Sequence, residues 1–463
     1  MPIATNEVPT LQNHLHDLNA SLNDGTSDHS AQARARGKQR FEPPALENLA
    51  ATGVPTPVVE QLVLKFLYFN GDLIARDLCR MMGLKFSLIE ELIETLKLQL
   101  LVQVKSSLGY GPVSATLSLT EAGRRVARDY LENNQYIGPV PVPIDQYTAA
   151  VHGQRFPANW LNRERLAAAY SQLVMSDATL DQIGPAISSG KSFLIYGQPG
   201  NGKTQIAEAL ANVNTTDIYV PYALEAQGNI IQLFDPIYHK LSNHGEQTVY
   251  DPDTDGRWAR CRRPFIATGG ELSLNMLDLS FNRISKIYDA PFQLKANNGI
   301  YLIDDFGRQK ASAAEILNRW IVPMERRIDY LSFENGGKMT VPFETFLVFS
   351  TNLTPDKLGD EAFLRRIQYK MLLRSPDEQE FRIIFTKFAQ SQGLTATTEL
   401  LDKFIEKHYR RGGKKFRRCH PRDLLSQVVD YIGFKRLPHE LTEDLLDLAF
   451  ASCFPVITEL TDT

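Results

Sequence analysis

The stretch SFLIYGQPGNGKTQIAEALA, residues 192–211, passes without a break from an apolar run through a glycine-rich turn into an amphipathic segment. The run Phe193–Tyr196 predicts a strand, and the segment after Thr204 predicts a helix. Between them Gly197, Gln198, Pro199, Gly200, Asn201, Gly202, Lys203 and Thr204 spell GxxxxGK[ST], with Gln205 next in the helical turn. Glycines at such spacing let backbone N–H groups curl around phosphate oxygens, and the start of a helix adds positive dipole. In that setting Lys203 places a mobile charge on the β- and γ-phosphates of ATP, while the Thr204 hydroxyl ligates Mg²⁺.

A second apolar run, Gly299–Ile303, ends in Asp304 and Asp305. Apolar residues leading to a carboxylate at the end of a strand make a Walker B motif; Asp304 then serves the Mg²⁺ water shell and Asp305 the attacking water. Downstream, TFLVFS (345–350) predicts a strand leading to Asn352, whose amide can position water and sense the γ-phosphate. Arg365 and Arg366 follow as a pair, and Arg422 opens a helix near the C-terminus. Each of these three says little alone, since an amide after a strand commonly caps it and paired arginines commonly face solvent. Their order behind two Walker motifs is what informs.

Composition bounds the rest. The 463 residues are 43% hydrophobic and 22% charged, ordinary for a chain that buries a large core. Fifty Lys and Arg against 54 Asp and Glu leave a formal charge of -4, which argues against a surface built throughout for nucleic acid or anionic membrane. No apolar run reaches the length of a transmembrane span, and the first residues have neither a basic nor an apolar signal region. Cys79, Cys261, Cys419 and Cys453 lie far apart, as expected of reduced thiols in a cytoplasmic protein.

The expected organisation has five parts. Residues 1–45 read as a disordered polar tail, in which His14 and His16 lack a third metal ligand at useful spacing. Residues 46–136 read as a winged-helix-like domain: helices from Thr56, from Asp72 to Gly83, and from a capping box at Ser87 and Glu90, then a hairpin and a further helix. Residues 137–159, with Pro139, Pro141 and Pro143, read as a semi-rigid linker. Residues 160–374 alternate strands and helices, as a parallel sheet with crossover helices requires, and residues 375–463 read as a helical lid.

Residues 160 to about 455 resemble the AAA+ ATPases. The resemblance implies an α/β P-loop NTPase AAA+ core with a C-terminal helical lid, here preceded by the winged helix. It makes Asn352 sensor 1, Arg366 (or Arg365 beside it) the arginine finger, and Arg422 sensor 2. A finger that acts on ATP held by a neighbouring subunit implies a homo-oligomeric ring, commonly a hexamer. Residues 323–343 look like the hairpin before sensor 1 of MoxR-type ATPases and enhancer-binding activators, branches that mostly remodel protein partners. The IDDFGRQ and NRWIVPMERR segments are similar to bacterial ATPases named as chaperone-like.

The chain departs from the family twice. Where Glu usually follows the Walker B Asp stands Asp305, one methylene shorter, which admits slow hydrolysis or a nucleotide switch. The span from Lys203 to Asp304 is also roughly forty residues longer than a minimal core needs, with the excess between about 227 and 298. Its Tyr250, Trp258, Arg260, Arg262 and Arg263 fit either a partner-contacting element or packing against the core. Two features raise nucleic acid as a partner. The third helix of the winged domain carries Glu90, Glu91 and Glu94 against Lys97 alone, which favours a protein partner docking there. The run from Tyr409 to Arg418 is basic with interleaved aromatics, which suits a nucleic-acid backbone or equally ATP and a neighbouring subunit. The expectation is therefore a Mg²⁺-dependent ATP hydrolase acting on a protein partner; the alternatives are a DNA-acting loader or regulator and a slow switch module.

Overall fold

The computed structural model describes residues 41–107, 111–156, 160–213, 216–242, 254–359 and 361–455. The expected tail lies almost wholly outside them, as does Tyr250. The elements from Pro43 onward pack as one unit.

Helix Thr56–Asn70 carries Pro57 in its first turn, where a missing N–H leaves no bond unmade, and stops at Gly71. It buries Val59, Leu62, Val63, Phe66 and Leu67 against helices Ala75–Met82 and Phe86–Leu98. The last of these buries the expected stripe Leu88, Ile89, Leu92, Ile93 and Leu96. Its capping box does not form: Lys85 is the N-cap, in extended conformation, so Ser87 falls inside the first turn. Phe86 packs on the module's core, and that contact draws the helix start back past the serine. A second correction concerns β1, Leu73–Ile74, expected as helix. It pairs antiparallel with β3 (Ala115–Leu119), which also pairs with β2 (Val102–Ser107). Helix Glu121–Asn133 closes the module on the first helix.

The central sheet is five-stranded and wholly parallel. Its order is β10 (Phe265–Thr268), β13 (Ile300–Ile303), β16 (Phe346–Thr351), β5 (Phe193–Tyr196) and β17 (Tyr369–Leu372). Side chains alternate faces along each strand. Phe193, Ile195, Leu302, Phe346 and Val348 pack with Ile183, Ile187 and Ile206 on one side. Leu194, Tyr301, Ile303, Leu347 and Phe349 pack with Ile316, Leu317 and Trp320 on the other. Burial on both faces is why these strands read as unbroken apolar runs. The fold is thus an α/β P-loop core, followed by a lid of helices Glu378–Ser391, Thr398–Ile405, His420–Lys435 and Glu443–Cys453 around their own core. No helix among the described residues is long and apolar enough to cross a membrane.

The 227–298 excess is neither a loop nor wholly an insertion. It supplies the core edge strand β10 and most of a second sheet. That sheet runs β11 (Ser280–Asn282), β12 (Ile287–Asp289), β8 (Asn229–Gln232), β7 (Ala223–Ala226) and β4 (Val142–Pro143). β4 belongs to the stretch expected as a spacer, which also holds helix Ile144–Gly153 with Tyr147, Ala150 and Val151 buried. Proline is tolerated there because β4 is an edge strand. Ala223 and Ile230 join the core of the N-terminal module, so the second sheet fastens that module to the rest. β6 (Asp217–Pro221) pairs with β9 (Trp258–Arg262), where Trp258 is buried and Arg260 meets Asp217 at 2.9 Å. Arg263 donates to the carbonyls of Asn298 and Gln154. Of the expected partner-contacting residues that are described, then, Trp258 is buried and Arg263 half-buried, while Arg260 and Arg262 are exposed. The hairpin of β14 (Ile328–Ser332) and β15 (Lys338–Pro342) forms where it is expected.

Two further contacts help to hold the N-terminal module in place. Gly83 touches the backbone of Gly256 so closely that a Cβ there would lie 2.6 Å from the Gly256 carbonyl oxygen. Beside it Arg257, 1% exposed, uses all five of its donors. Nε and Nη2 reach Asp255 at 2.8–3.0 Å, Nη2 also reaches Gln146 Oε1 at 3.0 Å, and Nη1 donates to Thr52 O at 2.8 Å and Pro141 O at 3.4 Å. Removing one partner of a buried ion pair strands the other charge. Arg257→Ala should therefore destabilise the chain by about 3–5 kcal/mol in urea unfolding, whereas a change under about 1 kcal/mol would mean that this junction holds nothing together.

Lys65 makes a second prediction. It is 1% exposed, and its ammonium donates at 2.7 Å to the neutral Asn134 Oδ1. Burial pushes its pKa down to about 8, against 10.5 for the free side chain. Between those values the unfolded chain binds the proton more strongly than the folded one, so stability rises with pH across that window and the cost of burying the charge is fully relieved above it. The gain is on the order of 2–3 kcal/mol. It should appear as the difference between the native chain and Lys65→Met, a comparison that cancels the opposite effect of the buried tyrosines above about pH 10.

Candidate active site

In a parallel sheet the carboxyl ends of the strands share one edge, and the loops leaving them meet there. β5 runs into residues 197–202, and helix Lys203–Ala209 follows at once. β13 leads directly into Asp304 and β16 into Asn352, so three sequence-distant segments converge on one cavity of about 300 Å³. Pro199, Gly200, Gly202, Lys203, Thr204, Gln205, Asp304, Asp305, Asn352 and Arg422 all line it. Gly197 and Gln198 act through their carbonyls, and Asn201 is fully buried with Nδ2 on Ser375 Oγ at 3.2 Å.

Lys203 is nearly buried, and its ammonium donates to three neutral oxygens: Gly197 O at 3.0 Å, Gln198 O at 3.1 Å and Asn352 Oδ1 at 2.6 Å. Burial lowers its pKa, opposed by the fields of Asp304 and Asp305. A buried cation held by neutral groups is an attractive site for an anion. The Thr204 hydroxyl donates to Asp304 Oδ2 at 2.8 Å, setting two hard oxygens side by side at the foot of the loop. Mg²⁺ takes one or two protein oxygens and completes its shell with water and phosphate, so this donor set fits it.

Asn352 donates from Nδ2 to Asp305 Oδ1 at 3.1 Å while its carbonyl accepts from Lys203. Arg308 lies 3.6 Å from the other Asp305 oxygen. Asp305 has φ 51°, in the left-handed region that Asp and Asn visit far more readily than Glu. The backbone of this turn therefore favours the shorter acid. Gln309 holds the turn from beyond, donating to Asp304 O at 2.8 Å and accepting from Gly307 N.

The lid closes the cavity. Cys419 N donates to Gly200 O at 2.9 Å, and a Cβ at Gly200, where φ is 78°, would lie 2.6 Å from Cys419 Sγ. Burial, then Asp423, pushes the Cys419 thiol up to about 11, so it stays neutral. Arg422 is half-exposed at the cavity wall, paired with Asp423 at 3.0 Å. Arg418 lines the same wall and is held by Glu380 at 2.8 Å. The basic run is otherwise occupied internally: Arg410 binds Glu378, Arg411 binds Glu406, Arg417 binds Ser375, and Lys414 sits 3.9 Å over the Phe454 ring. A second, apolar cleft of about 290 Å³ adjoins the first, lined by Leu173, Met175, Ile206, Ile384 and Phe388 and sharing Arg418 and Arg422.

The pair Arg365 and Arg366 stands apart from this constellation. Arg365 is exposed, and Arg366 pairs with Glu325 at 3.2 Å while its carbonyl accepts from Ser192. Sequence reasoning missed Arg308, Gln309, Cys419 and the apolar cleft. Arg308 and Gln309 stand next to the motif, but only the turn geometry gives them a role, and the cleft joins segments about two hundred residues apart.

Residues 377–452 match a family described as a domain of unknown function, DUF8689, which lies within the lid. No curated protein matches the chain. Among solved structures, NtrX from Brucella abortus is 12% identical, with TM-score 0.38 over 64% of this chain and 58% of that one, so less than two thirds of that NtrX chain is spanned. The same protein in complex with ADP is 13% identical, with TM-score 0.38 over 70% of each chain. A point mutant of Thermotoga maritima RuvB is 14% identical, with TM-score 0.34 over 63% of this chain and 70% of that one. These likenesses are distant, and what identifies the core as a P-loop fold is its own strand order, its loop and the convergence of Lys203, Thr204, Asp304 and Asn352.

Proposed function

We propose that the chain is an AAA+ ATP hydrolase that binds ATP with Mg²⁺ in this cavity and turns hydrolysis into a change of subunit contacts, acting on a protein partner. The observation that carries the reading is the Asn352 bridge between the buried Lys203 ammonium and the Asp305 carboxylate, beside the Thr204–Asp304 pair. Phosphates entering the loop replace the neutral oxygens around Lys203, and the base lodges in the adjoining apolar cleft. Thr204 and Asp304 would hold Mg²⁺, which supplies positive charge to the phosphate oxygens. Water attacks the γ-phosphorus, the bond to the bridging oxygen breaks, and ADP carries that oxygen away while Asp305 takes the proton. Asn352, released by Lys203, orients the water; Arg422 and Arg418 steady the charge from the lid side.

Arg366, with Arg365 beside it, lies outside its own cavity and is assigned to the site of a neighbouring copy. The working form is then a homo-oligomeric ring, a hexamer if it follows the family it resembles. A protein is the favoured partner over nucleic acid because, although Arg410, Arg411, Lys414 and Lys415 are all exposed, Arg410 and Arg411 are paired with Glu378 and Glu406 and Lys414 lies over the Phe454 ring. One observation favours a slow, switch-like cycle: Asp305 is short, bound by Asn352 and flanked by Arg308.

Asp305→Asn keeps the turn's backbone preference while removing the base. It should leave ATP affinity nearly unchanged and lower turnover about 10²- to 10⁴-fold. Lys203→Ala should instead weaken ATP binding about 10- to 100-fold, and undiminished affinity would remove the phosphate-site assignment.

Mixing two inactive variants tests the ring. Lys203→Ala lacks a working site and Arg366→Ala lacks the finger, so equimolar mixtures should regain turnover that neither shows alone. A mixture as inactive as its components, or an Arg366→Ala chain at full rate, would place the chemistry within one subunit.

A further inference from the structure

The N-terminal module carries a cleft of about 350 Å³ between helices Ala75–Met82 and Phe86–Leu98 and the turn before β3. Its floor is apolar, with Leu84 buried, Phe86 half-buried and Val113 40% exposed. Its rim is cationic, from Arg76, Arg80 and Lys85. Arg76 has a loose contact with Asp77 at 3.9 Å, while Arg80 and Lys85 have no ion pair among the described residues.

The geometry points to this cleft as the docking site for an acidic peptide segment of a partner protein, one large apolar side chain entering the floor and flanking carboxylates meeting the rim. The inference rests on the proposal that the module recruits a protein, and it supplies that partner's chemistry. Charge complementarity sets the anionic character and the floor sets the anchor. Duplex nucleic acid fits less well. Glu90, Glu91 and Glu94 are exposed on the same helix and would oppose a phosphate backbone continuing past the cleft.

The test pans a display library of random short peptides against the full-length chain, then titrates the enriched peptides, fluorescein-labelled, by polarisation. Enriched sequences should carry Leu, Phe or Trp among Asp and Glu, and their binding should weaken as NaCl rises from about 50 to about 300 mM. The double variant Arg80→Glu, Lys85→Glu should weaken it about ten-fold or more, and so should Val113→Asp. Basal ATP turnover of both variants should match the native chain, which reports that they fold. Failure to enrich acidic–apolar sequences, or equal binding by the variants, overturns the assignment. So does labelled duplex DNA that binds the native chain and is lost in the same variants. A chain that selects such peptides but hydrolyses no ATP keeps this surface and removes only the motor; an active chain that selects none does the reverse.

Discussion

The amide of Asn352 has one acceptor side and one donor side, and here the first faces a buried ammonium and the second a carboxylate. That single planar group ties the ends of three parallel strands, because Lys203 follows β5, Asp305 follows β13 and Asn352 follows β16. Without a ligand, opposite charges in so small a space would pair directly and collapse the cavity. The interposed amide keeps them apart while satisfying both, so the cationic and basic ends of the site are positioned before any phosphate arrives.

The lid extends this arrangement across the cavity. Cys419 meets the phosphate loop through its backbone N–H, and Arg417 and Asn201 share the Ser375 hydroxyl. These are contacts between lid and loop within one chain. A change in loop geometry is thereby felt at the start of helix His420–Lys435, which also places Arg422. The neutral Cys419 thiol suits this position, because a thiolate there would oppose the phosphate charge.

Much of the site was legible in the sequence because its signals are local. A strand, a glycine turn and a helix within twenty residues announce the P-loop, and an apolar run ending in a carboxylate announces the strand that delivers Asp304. The second sheet was illegible for the opposite reason. β4, β7, β8, β11 and β12 are two to four residues long, too short for an alternating pattern to show; β7–β8 and β11–β12 are local hairpins, but the β4–β7 and β8–β12 pairings that build them into one sheet span large separations. The same holds for Arg257, whose partners lie on three segments, and for Arg410 and Arg411, whose charges look free until Glu378 and Glu406 are placed beside them. Ser87 shows a local signal losing to a tertiary one: the capping pattern is present, and the packing of Phe86 overrides it. Asp305 needed the backbone angle before its choice over Glu had a physical reason.

The junction at Arg257 has a further consequence, for how the chain is made. The carbonyl of Thr52 waits for a donor 205 residues later in the sequence. Ala223 and Ile230 must also be present before the core of the N-terminal module is complete. At a synthesis rate of about 5–20 residues per second, that interval lasts roughly 10–40 s. Throughout it the N-terminal module has an unsealed edge, and its apolar surface is exposed to whatever the nascent chain meets.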